Sequence, residues 1–142
     1  MPAKTHDYQL LDHTADLTVR IYGPDIVHLF ENACGSLNDL FLDIKFTGGS
    51  TSLRITVEGE DLEDLMVRWL SEILYLFEVD NIVVISNKIT AISHKHLTAT
   101  LETVNFDPLD HEIIREIKAV TYHNIRVVEK NGKWEMTITF DL

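Results

Sequence analysis

The chain has 142 residues, 45% of them apolar, and a formal net charge of −11. That length suits one domain, predicted to span residues 1–142, and the apolar share is too high for disorder. Its 12 basic residues against 23 acidic ones form no basic run, which argues against unaided nucleic-acid binding. No stretch approaches the ~20 apolar residues of a membrane span. The opening "MPAKTHDYQ" carries no apolar segment of the signal-peptide type, so a cytoplasmic location without a membrane partner is expected.

In chain order, the first predicted strand is Leu17 to Tyr22, with Leu17, Val19 and Ile21 on one face. Gly23 and Pro24 stop it, and Pro24 is suited to be the first residue of a helix. That helix carries Ile26, Leu29, Phe30, Ala33, Leu37, Leu40 and Phe41 at helical spacing. A loop over residues 43–50 follows, marked by "TGGS". "SLRITVEG" alternates as a second strand. The clearest helix is "EDLEDLMVRWLSEILYLFEV", with Asp61 as N-cap and acidic residues in its first turn, where they suit the helix dipole. Beyond Asp80 the pattern is all strand: residues 82–93, 97–104, 113–121, 125–129 and 133–140. The last two flank "KNGK", a hairpin signal. Two amphipathic helices packed on a mostly antiparallel sheet make an α+β fold.

Several residue groups can carry chemistry. Asp12, His13 and Asp16 crowd the mouth of the first strand, where aspartates also serve as ordinary turn residues. Asp141 is followed by Leu142 and the terminal carboxylate, a compact set of hard oxygen donors. A third carboxylate from elsewhere would complete a site for Ca²⁺, Mg²⁺ or Mn²⁺; the plain alternative is a solvated tail. Lys118 lies in the predicted strand 113–121, either facing solvent or aimed at phosphate or carboxylates. His94 and His96 lack a third ligand nearby and are expected to form a polar turn, and His111 belongs to a loop. Tyr122 and His123 are expected to close a strand and turn the chain. Cys34, on the first helix, reads as a buried small hydrophobe. No Walker A loop, GxGxxG, GxSxG or HExxH is present.

Taken in order, "YQLLDHTADLTVRIYG", "EGEDLEDLMVRWLSEILYLF", "EIKAVTYHNIRV" and the closing "ITFDL" resemble the archease family across the whole chain. The resemblance implies a cytoplasmic accessory protein with no catalytic residues of its own. It would activate an RtcB-type tRNA-splicing RNA ligase, promoting guanylylation and multiple turnover, and would meet tRNA through the ligase. It also implies a divalent-metal site, usually calcium, with manganese or magnesium as alternatives. The matching positions are Asp16, Asp141 and Leu142, the last through a main-chain or terminal oxygen, with Asp12 less firmly included. Lys118 falls on the family's functional lysine, and His13 joins Asp16, Lys118 and Asp141 as a ligase-activating candidate. Leu142 stands where isoleucine is more usual. If the first and last strands lie side by side, Asp16, Asp141 and the chain end meet, and such concentrated negative charge favours a cation. Two other readings compete: a metal-dependent hydrolase using Asp12, His13 and Asp16, and a chaperone-like interaction module without metal.

Overall fold

The computed structural model describes residues 7–10, 16–45 and 48–142. Strand β1 (Tyr8–Leu10) leads into β2 (Asp16–Gly23), then helix α1 (Ile26–Phe41) and the short β3 (Leu42–Ile44). Next come β4 (Thr51–Glu58), α2 (Leu62–Asp80), β5 (Ile82–Ile92) and β6 (His96–Asn105). The chain ends with β7 (His111–Ile113), β8 (Ala119–Lys130) and β9 (Lys133–Asp141). These strands form a four-stranded sheet ordered β1-β2-β9-β8, a three-stranded sheet ordered β4-β6-β5, and the ribbon β3-β7. Every pairing is antiparallel.

Both helices touch both larger sheets, so they form a layer between them. Their sequences fit that position. On α2, Leu65, Met66, Val67, Trp69, Leu70, Ile73, Leu74 and Leu76 are all buried, a band too broad for a helix covered on one side only. Alternation supplies the facing surfaces: Leu17, Val19 and Ile21 on β2 with Met136, Ile138 and Phe140 on β9, and Leu97, Ala99 and Leu101 on β6. Trp69 lies between the helices and donates its indole N–H to the Phe30 carbonyl at 2.9 Å, so its one polar atom is satisfied inside the core.

The two helices start alike. Asp25 caps α1 by accepting the His28 amide at 2.8 Å, and Asp61 caps α2 by accepting the Asp64 amide at 2.8 Å. Pro24 therefore precedes the helix rather than opening it; Asp25 takes the cap because its carboxylate can accept a free helix N–H, whereas proline carries no side-chain acceptor. Two residues before each cap stands a glycine. A Cβ on Gly23 would lie 2.5 Å from the Leu29 amide nitrogen, and one on Gly59 2.7 Å from that of Leu65.

Other sequence expectations need correction. Part of the expected loop 43–50 is strand, because Leu42–Ile44 pairs with His111–Ile113. The expected strand 113–121 is broken in two. Ile114 donates to the Phe41 carbonyl and Arg115 to the Leu40 carbonyl, holding that stretch against the end of α1, while Ala119 onward joins β9. The expected break at Tyr122 and His123 is instead a bulge inside one 12-residue strand, with Asn124 at φ 55° and the register to β9 shifting between Thr121 and Arg126.

Candidate functional site

The four-stranded sheet gathers three distant pieces of sequence at one end. Strand β2 begins at Asp16, β9 finishes at Asp141 and β8 begins at Ala119. Because β9 lies between the other two, Asp141 is opposite Asp16 on one side and Ala119 on the other. Residues directly opposed across a sheet share a face. The neighbouring Leu17 and Phe140 are buried, so the two carboxylates stand on the outer face, Asp16 half-buried and Asp141 exposed. One step along, Thr18 and Thr139 hydrogen-bond through their hydroxyls at 3.0 Å, and the Thr121 hydroxyl donates to the Thr139 carbonyl at 2.8 Å. This threonine row fixes the register beneath the carboxylates.

Lys118 joins the same end through its backbone. Its amide donates to the Asp141 carbonyl at 2.8 Å, and its side chain is exposed. Among the described residues no ion pair links that side chain to Asp16 or Asp141. Leu142 packs partly against the core. Asp12 and His13 lie outside the described residues. The described residues contain no group of three His, Cys, Asp or Glu side chains close enough to share a metal. Two aligned carboxylates with main-chain oxygen beside them are nonetheless the donor chemistry of a hard divalent cation. Like charges directly opposed on neighbouring strands also destabilise a sheet, a cost that a bound cation would remove.

The other candidates have structural roles. Cys34 is fully buried in α1, and burial pushes its thiol up to about 12, which leaves it unreactive. His94 lies in the turn before β6 and His96 opens that strand. His111 lies in β7 rather than a loop, buried, where its Nδ1 accepts the Asp107 amide at 2.9 Å and stabilises the tight turn before it.

One polar cluster escaped the sequence reading. Asp64, in the first turn of α2, accepts the Glu60 amide at 2.8 Å and Arg68 Nε at 2.9 Å through one oxygen, and the Tyr122 hydroxyl at 2.6 Å through the other. The Tyr122 bond, with help from the Glu60 amide and Arg68, holds the Asp64 carboxyl below its ordinary value. In turn the Asp64 carboxylate pushes the Tyr122 phenol up. Arg68, four residues on from Asp64, was a visible partner; Tyr122 was not, because only the bulge in β8 brings it there.

The model of the Archease protein family (MTH1598/TM1083) matches residues 8–142. Protein archease of Methanosarcina mazei is 33% identical over 146 aligned residues, covering 100% of both chains. That of Pyrococcus furiosus is 33% identical over 92% of this chain and 95% of its own. The solution structure of protein 1598 from Methanobacterium thermoautotrophicum superposes with a TM-score of 0.78 at 27% identity, covering 95% of this chain and 98% of that one. A Thermotoga maritima crystal structure, titled an archease and possible chaperone, shares the fold with a TM-score of 0.63 at 20% identity. The arrangement is thus an archease fold with β2 and the last strand, β9, paired at a carboxylate-bearing end. The chain belongs to the archease family.

Proposed function

We propose that this protein is a non-enzymatic activator of an RtcB-type RNA ligase in tRNA splicing, acting through the sheet end where Asp16, Asp141 and Lys118 converge. The observation that carries the reading is the register: Asp16 opposite Asp141, with the Lys118 amide on the Asp141 carbonyl. Asp16, Asp141 and an oxygen of Leu142 are the residues that would hold a divalent cation, calcium first. When bound, such an ion supplies positive charge that can offset developing negative charge on a nucleotide phosphate. The chain's own residues do the positioning. The β2–β9–β8 pairing sets the two carboxylates, and the Lys118 amide bond keeps the entry of β8 against Asp141. The exposed Lys118 ammonium is then free to meet phosphate in the ligase cleft.

A reconstituted reaction tests this reading. With ligase limiting, the wild-type protein should raise guanylylation and permit multiple turnover. Lys118→Ala should lose most of that activation while keeping its far-ultraviolet circular dichroism, since the side chain is exposed and outside the core. Full activation by Lys118→Ala would remove Lys118 from the mechanism. A ligase indifferent to the wild-type protein under the same metal conditions would refute the reading as a whole.

A further inference from the structure

Sheet edges are templates for pairing, and native proteins cover them, shorten them or break them with bulges and proline. In the three-stranded sheet the two edges are treated differently. The outer side of β5 is sealed by α1: the Glu31 carboxylate accepts the Ile89 amide at 2.9 Å, Asn38 donates to the Val84 carbonyl, and Asn87 donates to the Glu31 carbonyl at 3.3 Å. Two register shifts further break that strand. Strand β4 has none of this. It runs eight residues, Thr51 to Glu58, in unbroken register with β6, without proline or bulge. Among the described residues, no hydrogen bond from a helix or loop reaches its outward backbone groups.

Along that open edge lies a groove. Thr56, Val57 and Glu58 form one wall, and Arg68, Ser71, Glu72 and Tyr75, spaced as one face of α2, form the other. Its volume is about 570 Å³, within the range of ligand clefts. Its lining favours one sign of charge. Arg68, the one cation among the described residues lining it, is already held by Asp64 at 2.9 Å, whereas Glu58 and Glu72 line the groove with Tyr75, an aromatic ring 54% exposed. A carboxylate next to an exposed aromatic ring is a receptor for lysine or arginine.

We propose that β4 accepts an extended basic peptide segment of another protein as an added strand, seated between β4 and α2. Main-chain hydrogen bonds to the open edge supply affinity, and Glu58, Glu72 and Tyr75 select basic side chains. A second copy of this chain is a poor occupant, since it would bring a net charge of −11 and the same glutamates against themselves. The groove belongs to the sheet opposite Asp16 and Asp141, so this interaction stands apart from the metal reading.

The test uses the full chain and three synthetic peptides matched in length to β4. One alternates arginine with valine, one alternates glutamate with valine, and one is the fully N-methylated form of the first. The arginine peptide should bind and slow amide exchange within residues 51–58. The glutamate and N-methylated peptides should bind at least about tenfold more weakly, having lost charge complementarity and backbone pairing respectively. Glu72→Lys should weaken the arginine peptide by a similar factor. Four results would each overturn the proposal: no binding of the arginine peptide, equal binding of its N-methylated form, protection that falls outside β4, or protection of β4 that tracks self-association in sedimentation.

Discussion

Tyr122 follows Asp64 by 58 residues, yet its hydroxyl sits 2.6 Å from the Asp64 carboxylate and ties the bulge of β8 to the first turn of α2. Tyr122→Phe should therefore destabilise the protein by roughly 1 kcal/mol, below the usual value for a hydrogen bond to a charged group because the ring is half exposed. The pH dependence follows from the two displaced groups. Asp64 has a lowered folded pKa, so its contribution is present above its ordinary value of 3.8 and is lost as pH falls through the folded value beneath it. Tyr122 has a raised one, so its contribution is present below 10.0 and is lost as pH rises beyond. Urea unfolding of wild type and Tyr122→Phe should show a constant gap across neutral pH that narrows at both extremes. A pH-independent gap would mean that the lost stability was packing. Residues whose role follows from the local pattern were legible beforehand: Asp61 as a cap, Cys34 as a buried thiol, Asp16 and Asp141 as strand-end acids. Tyr122 was not, because its partner depends on an irregularity in a strand.

At the scale of elements, the strongly periodic stretches form what their spacing predicts. Strand β2, both helices, β4 to β6, the turn between β8 and β9, and β9 itself match the sequence reading to within a few residues. Periodicity failed where tertiary partners decide. Residues 113–121 alternate well enough to be one strand, but the carbonyls of Leu40 and Phe41 capture Ile114 and Arg115 before β8 begins. The strand β1 was missed because three residues give too little pattern to read. The strand-to-helix turns at Gly23 and Gly59 supply a sharper test. At both positions a Cβ meets backbone that cannot move aside cheaply, so Gly23→Ala and Gly59→Ala should each cost about 1–3 kcal/mol. Gly48, with nothing within 4 Å, is the control: Gly48→Ala should leave the denaturation midpoint nearly unchanged. Equal effects at all three positions would show that close approach is not what requires glycine.

For the whole molecule, the fold brings the start of β2 against the end of β9 by placing β9 between β2 and β8, and the net charge of −11 sets what it can approach. Among the described residues, no helix is long and apolar enough to cross a membrane. An acidic protein lacks the cations whose counterion release drives RNA binding, so tRNA alone should give no salt-sensitive gel shift. Under the proposed function, association with the ligase at a basic cleft should instead slow as ionic strength rises, which stopped-flow mixing would detect; a salt-independent rate would rule out electrostatic steering. The central claim is that Asp16 and Asp141, opposed across the sheet, hold a divalent cation. Calorimetric titration of Ca²⁺ and Mn²⁺ into the wild-type protein, Asp16→Asn and Asp141→Asn tests it most directly. The account predicts saturable binding of at least one of these ions by the wild type, weakened by about tenfold or more in each variant, as each loses a charged ligand. Unchanged affinity in both variants, or no binding by the wild type, would contradict it.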